Sequence, residues 1–153
     1  MQKILVANRG EIALRVMRTA RRMGIKTVAV YSEVDRSAPH VRYADEAVLL
    51  GPAPSNQSYL VMDKVIQVAK DTGADGIHPG YGFLSENAEF ARRVAAAGIV
   101  FIGPEPHAIE VMGNKLAAKE AVADFDVPMV PGIEEAITDV ALAQKIGAEV
   151  GYP

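Results

Sequence analysis

The stretch that decides the fold is "KILVANRGEIALRVMR", residues Lys3–Arg18. It begins with an unbroken apolar run, Ile4–Ala7, as a strand that is buried on both faces requires. The chain then turns through Asn8–Gly10 and continues, from Glu11 to Met23, with apolar residues at helical spacing. A strand, a short turn and a helix in this order open a nucleotide-binding βαβ unit, so the stretch predicts an α/β fold.

The same alternation continues along the chain. Further strands are predicted at Thr27–Tyr31, at Glu46–Gly51, within Asp75–Gly80 and at Ile99–Gly103. Helices are predicted at Asn56–Thr72, Ser85–Ala97, Glu105–Met112, Lys115–Asp124 and Ile137–Val150. Crossovers of this length favour a Rossmann-like open parallel sheet with helices on both faces. Such sheets bind ligands in the loops beyond the carboxyl ends of their strands, here Asn8–Gly10, Ser32–Pro39, Pro79–Ser85 and Gly103–Pro106.

Composition limits the classes of protein that remain. The chain has 153 residues, of which 50% are hydrophobic and 23% charged, as in ordinary soluble globular proteins. A net charge of −3 gives no electrostatic basis for general nucleic-acid binding. Without cysteine there can be no disulfide, thiolate metal site or cysteine nucleophile. No apolar run approaches the roughly 20 residues of a membrane span, so we expect a cytoplasmic protein, or an organellar one that has lost a transit peptide.

The first loop has the shape of a nucleotide site without its chemistry. A dinucleotide fingerprint needs three glycines, whereas "ANRGEIA" supplies only Gly10. Glu11 stands at the start of the helix, where its carboxylate would repel a phosphate. We therefore prefer a structural βα turn, capped by Asn8 and Gly10, to a pyrophosphate site.

One face of the first helix is basic. Arg15, Arg18 and Arg22 lie in line, away from the apolar stripe. Such a row is usually a solvated face. The alternative is a subunit interface, because arginine is enriched in interfaces.

The loop "HPGYGFLSEN", His78–Asn87, is the strongest local signal for a ligand. Gly80 and Gly82 allow the backbone to approach a ligand closely, and a flat ligand could rest against Tyr81 while main-chain groups at Gly82 bind it. The alternative is a rigid turn whose aromatic side chains fill the core, and the residues alone leave the two open.

A third signal is "MGNKLAAK", Met112–Lys119. Asn114 can cap a helix that begins at Lys115, so that free backbone N–H groups and one ammonium would favour an anion. Taken alone this is weak, because a lysine at a helix start usually decorates the surface.

We predict no catalytic constellation and no metal site within the chain. His40, His78 and His107 are scattered over different loops without ligand spacing. The tail, with a proline-rich hinge at Val127–Gly132, a helix and a final "GYP", leads us to expect the front piece of a longer chain.

Four stretches together resemble the N-terminal domain of the biotin carboxylases, the component found in acetyl-CoA, propionyl-CoA and pyruvate carboxylases. They are "ILVANRGEIALRVMRTARRMGI", "VYSEVDRSAPHVRYADEAVLLGPAPSNQSYL", "GIHPGYGFLSENAEFA" and "FIGPEPHAIEVMGNKLAAKEAV". "ANRGEIA" and "HPGYGFLSEN" are the specific parts of the likeness, which covers nearly the whole chain. It implies a pre-ATP-grasp domain over residues 1–126, followed at residues 127–153 by a hinge and the first helix of a truncated ATP-grasp domain.

The resemblance implies a ligase as the full-length parent. In that family ATP and bicarbonate give carboxyphosphate, magnesium (or manganese) neutralises the phosphates, and biotin on a carrier protein receives the carboxyl group. The implied partners are the biotin carboxyl carrier protein, the carboxyltransferase and a second copy of the chain. The 153-residue piece lacks the family's magnesium carboxylates and catalytic arginine, so we expect it to be inactive and to bind none of these cofactors alone. A non-catalytic interaction or regulatory module of the same fold is the alternative.

The resemblance also implies site residues. Lys115 matches the lysine that reaches the ATP phosphates, and Tyr81 and Gly82 match positions that line the biotin pocket. Arg15 and Arg18 match positions at the homodimer contact. Arg22 departs from the pattern, because some relatives carry an acidic residue there that pairs across the dimer. The first βα turn of the family does not bind nucleotide phosphates.

Overall fold

The computed structural model describes residues 1–125, 127–128 and 137–151, except for the side chains of residues 115 and 124. The chain divides by its internal contacts into two units, Met1–Ile109 and Glu110–Pro153. The first unit contains the sheet and is the one from which the candidate site is built.

Strands and helices alternate through the first unit, as predicted. Its elements are β1 (Lys3–Val6), α1 (Gly10–Arg22), β2 (Lys26–Ser32), α2 (Pro39–Tyr43), β3 (Glu46–Gly51), α3 (Met62–Asp71), β4 (Gly76–His78), α4 (Ala88–Ala96) and β5 (Val100–Phe101). The residues described after β5 form the helices α5 (Pro106–Gly113), α6 (Lys115–Val122) and α7 (Val140–Val150).

The five strands form one parallel sheet in the order β3-β2-β1-β4-β5. Leu5 in the central strand lies opposite Val28 on one side and Ile77 on the other. The predicted open parallel α/β sheet is therefore confirmed. Because the chain builds outward from β1 in one direction and then returns to its other side with β4, the topological switch point lies between β1 and β4.

Alternating side chains of β1 supply two apolar cores. Ile4 and Val6 pack on one face of the sheet with Met17 of α1. Leu5 packs on the other face with Phe90 of α4 and with residues of α3. Each fully buried side chain of this size contributes about 1.5–3 kcal/mol, so both helical layers are fixed by the period-two pattern of the strand.

Two predicted helix starts in the first unit are wrong. α3 begins at Met62 and not at Asn56, because Ser58 has a non-helical backbone that turns the next residue, Tyr59, into the core. α4 is capped by Asn87 and not by Ser85: the Asn87 side chain accepts a hydrogen bond from the Phe90 N–H at 2.9 Å. The helix α2 was not predicted, since five residues are too few to show a period.

The predicted hinge at residues 127–132 lies outside the described residues, apart from Val127 and Pro128. α7 begins three residues later than predicted, where Asp139 accepts hydrogen bonds from the N–H groups of Ala141 and Leu142. None of the described helices is both long enough and apolar enough to span a bilayer.

Candidate functional site

The loops that follow β1 and β4 meet at the switch point through one side chain. Asn8 is 4% exposed, and its Nδ2 donates hydrogen bonds to the carbonyl oxygens of Pro79 and Tyr81, each at 2.8 Å. Its Oδ1 accepts a bond from the Arg9 N–H at 2.9 Å. The amide group therefore ties the loop after β4 to the end of the central strand.

The backbone of Gly80 fits closely around this amide. Gly80 has a φ of +70°, and a Cβ at this position would lie 2.6 Å from Asn8 Nδ2. The Gly80 N–H donates to Nδ1 of His78 at 3.0 Å. Burial lowers the pKa of His78, which favours the neutral ring that can accept this bond. A side chain at residue 80 would therefore push the two loops apart.

Beyond Gly82 the loop is anchored by stacked aromatic rings. Phe83 has a φ of +48°, unusual for a residue with a bulky side chain. Its ring stacks on Tyr59, with centroids 5.4 Å apart and planes at 6°. The Arg9 guanidinium lies 5.8 Å from the Phe83 centroid and 5.9 Å from that of Tyr59. The β1 loop thus contacts the β4 loop a second time.

A carboxylate orients this stack. Asp35 Oδ2 accepts hydrogen bonds from the Tyr59 hydroxyl at 2.7 Å and from Ser32 Oγ at 2.8 Å, and lies 3.7 Å from Arg9 Nη1. Burial alone would raise the pKa of Asp35, but the two hydroxyls and the arginine outweigh it and lower that pKa. Burial, with the bond to Asp35, raises the pKa of Tyr59 to about 12. The carboxylate is thus ionised and the phenol protonated at neutral pH.

The start of α1 is closed by a buried histidine. His40 is fully buried, and its Nδ1 accepts a hydrogen bond from the Gly10 N–H at 3.3 Å. Its Nε2 lies 3.4 Å from the Val30 carbonyl oxygen, so the neutral tautomer with hydrogen on Nε2 satisfies both contacts. Desolvation lowers the pKa of His40 accordingly.

This geometry corrects the predicted capping of the first turn. Asn8 does not cap α1; the residue before the helix is Arg9, which makes no side-chain capping bond. The Gly10 N–H, which a phosphate would need, is bonded to His40 instead. The structural interpretation of the turn agrees with these contacts, but its inability to bind a phosphate stays a prediction.

The β4 loop, unlike the β1 loop, has groups that a ligand could contact. Tyr81 is 65% exposed, and no described residue accepts a hydrogen bond from the Gly82 N–H. An apolar groove of about 370 Å³ runs beside Tyr81 and is bordered by Ile12, Val16 and Arg15 of α1. Of the two aromatic residues in the loop, Phe83 packs against the core and Tyr81 faces outward.

Three of the four arginines of α1 lie on one exposed surface, as their spacing predicts. Arg15, Arg18 and Arg22 border a shallow depression of about 510 Å³ together with Tyr43. Arg22 donates to the Thr19 hydroxyl at 3.2 Å. The depression is basic and open, so it can receive either solvent or an acidic partner.

Lys115 is the first residue of α6, and its side chain lies outside the described part of the chain. Asn114 caps the helix as predicted, accepting hydrogen bonds from the N–H groups of Leu116 at 2.9 Å and Ala117 at 3.2 Å. Those two N–H groups were expected to be free for an anion. Since the cap uses them, any phosphate here must rely more on the lysine.

The histidines do not come together. His40 is buried, His78 half-buried and His107 exposed. Among the described residues there is no group of three His, Cys, Asp or Glu side chains that could hold a metal ion.

Sequence reasoning missed the polar side chains that join the two loops, which are Asn8, Arg9, Asp35 and Tyr59. Asn8 and Tyr81 are 73 positions apart, so no spacing along the chain can reveal their contact. The strand order could have suggested the contact, because a switch point between β1 and β4 brings the loops after these two strands to one crevice.

The chain is similar to known proteins over nearly its whole length. Residues 1–109 match the family model described as the N-terminal domain of biotin carboxylase. The chain is 55% identical over 151 residues to the human mitochondrial propionyl-CoA carboxylase alpha chain, covering 99% of this chain and 21% of that one. It is 51% identical to biotin carboxylase 2 of Bacillus subtilis, covering 34% of that protein.

A solved structure is similar over the same extent. The biotin carboxylase domain dimer of Hydrogenobacter thermophilus 2-oxoglutarate carboxylase, in complex with MgADP, ADP and bicarbonate, superposes with a TM-score of 0.90 at 48% identity. The match covers 99% of this chain and 33% of that one. The chain therefore spans between a fifth and a third of the length of these relatives.

Proposed function

Because the chain belongs to the family of biotin carboxylase N-terminal domains, we propose that it is the front part of a ligase that carboxylates biotin with ATP and bicarbonate. The observation that carries the proposal is the match to biotin carboxylases over 99% of the chain, together with the MgADP and bicarbonate held by the similar structure. The proposed division is a pre-ATP-grasp domain at residues 1–126 and the start of an ATP-grasp domain at 127–153.

The biotin subsite is proposed at the β4 loop. The Tyr81 ring would lie against the flat ureido ring, and the Gly82 N–H would donate a hydrogen bond to it. The exposed ring, and an N–H that has no acceptor among the described residues, support this assignment. We propose that this part of the chain contributes binding and orientation, and that phosphoryl transfer takes place in other parts of the ligase.

The ATP contact is proposed at Lys115. One charge-assisted contact to a phosphate contributes roughly 1.5–3 kcal/mol. In the complete ligase, Lys115→Ala should therefore raise the KM for ATP by about ten- to a hundred-fold. Lys115→Arg should not fully restore it, because a planar guanidinium cannot replace a compact ammonium among crowded oxygens.

Steady-state kinetics with varied ATP would measure this effect. Lys26→Ala is a suitable control, since Lys26 is an exposed lysine in β2. An unchanged KM for ATP in Lys115→Ala would show that Lys115 is only a surface residue. A loss of folding in that variant would show that its role is structural.

The partners are proposed from the same family. They are the biotin carboxyl carrier protein, the carboxyltransferase and, through Arg15 and Arg18, a second copy of the chain. In an isologous contact Arg22 would approach its own symmetry mate's basic surface, which weakens association. Sedimentation equilibrium should show Arg18→Glu weakening the dimer and Arg22→Glu strengthening it; equal behaviour of the two variants would place the dimer contact elsewhere.

Two experiments test the function as a whole. Sequencing the transcript past codon 153 should reveal an in-frame glycine-rich loop, and the complete product should cleave ATP in a bicarbonate- and biotin-dependent manner. The isolated 153-residue chain should neither hydrolyse ATP nor carboxylate free biotin, and bicarbonate-dependent ATP turnover by it above a protein-free control would contradict this. The relatives' names include mitochondrial and bacterial proteins, so we propose the cytoplasm or the mitochondrial matrix as the compartment.

A further inference from the structure

We infer that Asn8 is a positioning residue for the biotin subsite: its amide, reaching across from the β1 loop, fixes the backbone that presents Tyr81 and Gly82. The inference rests on the proposed biotin site. On this inference the β1 loop, which has the shape of a nucleotide site, holds the β4 loop in place.

The orientation of the amide is determined by its surroundings. Nδ2 of Asn8 faces two carbonyl oxygens, those of Pro79 and Tyr81, and only an N–H₂ group can bond both. Oδ1 faces the Arg9 N–H, which only an acceptor can bond. Since all three contacts are at 2.8–2.9 Å and Asn8 is buried, no other arrangement of the group satisfies them.

The loop is shaped to receive this side chain. Gly80 leaves only enough space for it, since a Cβ there would lie within 2.9 Å of three Asn8 atoms. The Gly80 N–H is held in turn by His78, so the turn is bonded on both sides. Close contact and hydrogen bonds together fix the backbone immediately before Tyr81 and Gly82.

The downstream end is fixed by the neighbour of Asn8. Arg9 lies over the rings of Phe83 and Tyr59, and the Ser85 N–H donates to the Gly82 carbonyl at 2.9 Å. Tyr81 and Gly82 therefore form a short segment anchored on both sides by successive residues of the β1 loop. The segment itself has an exposed ring and an N–H that points to no described acceptor.

The conformation of this segment is one that the chain would not adopt without support. Gly82 has φ +59° and ψ −157°, a region occupied essentially only by glycine, and Phe83 follows with a positive φ. If Asn8 no longer holds the loop, only a fraction of molecules will present the Gly82 N–H correctly. The apparent affinity for biotin then falls by that fraction, while biotin at saturation restores the bound conformation.

The test is Asn8→Asp in the complete ligase. Aspartate has the size of asparagine and keeps the acceptor for the Arg9 N–H, but it places an oxygen against the two carbonyls. We expect the KM for free biotin to rise about tenfold or more, with kcat at saturating biotin and the KM for ATP within about twofold of wild type. Asn87→Asp is the matched control, because a carboxylate caps α4 as well as the amide does.

A second measurement reports on the loop itself. In the 153-residue chain, amide hydrogen exchange should become faster at Gly80 and Ser85 in Asn8→Asp, while amides of β1 such as Leu5 keep their protection. Loss of protection throughout the sheet, or unchanged exchange at Gly80, would overturn the positioning role.

Tyr81→Ala separates the two levels of the proposal. If it raises the KM for biotin and Asn8→Asp does not, the biotin site stands and the positioning role is wrong. If Tyr81→Ala leaves the KM for biotin unchanged, the biotin site itself is wrong, and the inference that rests on it fails with it. A rise in both variants, with Asn87→Asp unchanged, supports both.

Discussion

Two loops at the carboxyl edge of the sheet occupy equivalent places, after β1 and after β4, and differ in what they leave unsatisfied. In the β1 loop the Asn8 amide, the Arg9 guanidinium and the Gly10 N–H all bond or stack on other parts of the chain. In the β4 loop Tyr81 is exposed and the Gly82 N–H has no described partner. Equivalent positions in the fold therefore do not leave equivalent hydrogen-bonding capacity, and the β4 loop is the one that we propose binds biotin.

The comparison explains why a strand–turn–helix opening carries no glycine-rich fingerprint here. A phosphate-binding turn must keep its N–H groups free, whereas this turn uses them to hold the chain together. The groups that a ligand could contact lie instead in the β4 loop, beside the crevice at the switch point. Substitutions at Gly80, Tyr59, Arg9 and Tyr81 test this difference between the two loops.

The largest effect is expected where the two loops touch. Gly80→Ala combines a positive φ, which costs an L-residue about 1–2 kcal/mol, with a Cβ inside contact distance of Asn8, and overpacking costs about 1–3 kcal/mol more. We expect the free energy of unfolding to fall by about 3 kcal/mol in urea titrations. Gly73→Ala is the control, with a φ of +63° and no heavy atom within 4 Å of the added Cβ; it should lose about 1 kcal/mol.

Equal losses in free energy of unfolding in these two variants would mean that the positive φ alone accounts for the effect of a side chain at residue 80. The close contact with Asn8 would then carry no energy, and the β1 loop would not be a support for its neighbour.

The next effect concerns the ring stack. Tyr59→Phe removes a hydroxyl that donates to Asp35 and accepts from the buried Ser32 N–H, leaving both without that partner. A buried group left unpaired costs about 1–3 kcal/mol, so we expect a loss of about 2 kcal/mol. Tyr31→Phe is the control, because its hydroxyl bonds no described residue, and it should change stability by less than about 0.5 kcal/mol. An unchanged free energy of unfolding in Tyr59→Phe would show that the stacked rings stabilise this region without the hydroxyl.

The sequence predicted the fold more fully than it predicted this division of labour. Unbroken apolar runs such as Ile4–Ala7 and helical spacing such as that from Glu11 to Met23 are local signals, and they sufficed for a parallel α/β sheet. Tyr81 and Gly82 could be singled out, because glycines around an aromatic residue at a strand end form a local pattern. The contact of Asn8 with Tyr81 joins residues 73 positions apart, and only the strand order brings them together.

A smaller effect is expected at the guanidinium that spans both loops. Arg9→Met removes two cation–π contacts of about 0.5–1 kcal/mol each at an exposed site, and an ion pair that is too long and too exposed to add much. Methionine keeps part of the apolar packing, so we expect a net loss of about 1 kcal/mol by chemical denaturation. Arg36→Met, where the guanidinium covers the single ring of Tyr31 at 5.7 Å, should lose about half as much. Equal losses in free energy of unfolding in Arg9→Met and Arg36→Met would show that Arg9 does not help to join the two loops.

The smallest effect on folding is expected at Tyr81, and there the comparison is sharpest. The side chain is 65% exposed, and its hydroxyl bonds no described residue, so Tyr81→Ala should change the free energy of unfolding by less than about 0.5 kcal/mol. In the proposed complete ligase the same substitution should raise the KM for free biotin about tenfold, because the ring that we propose covers one face of the ligand would be lost, while the KM for ATP stays unchanged. Tyr81→Phe should keep most of the affinity, since the flat surface remains. A loss of stability comparable to that of Tyr59→Phe would show instead that the β4 loop, like the β1 loop, is a structural element and that its exposed ring has no ligand.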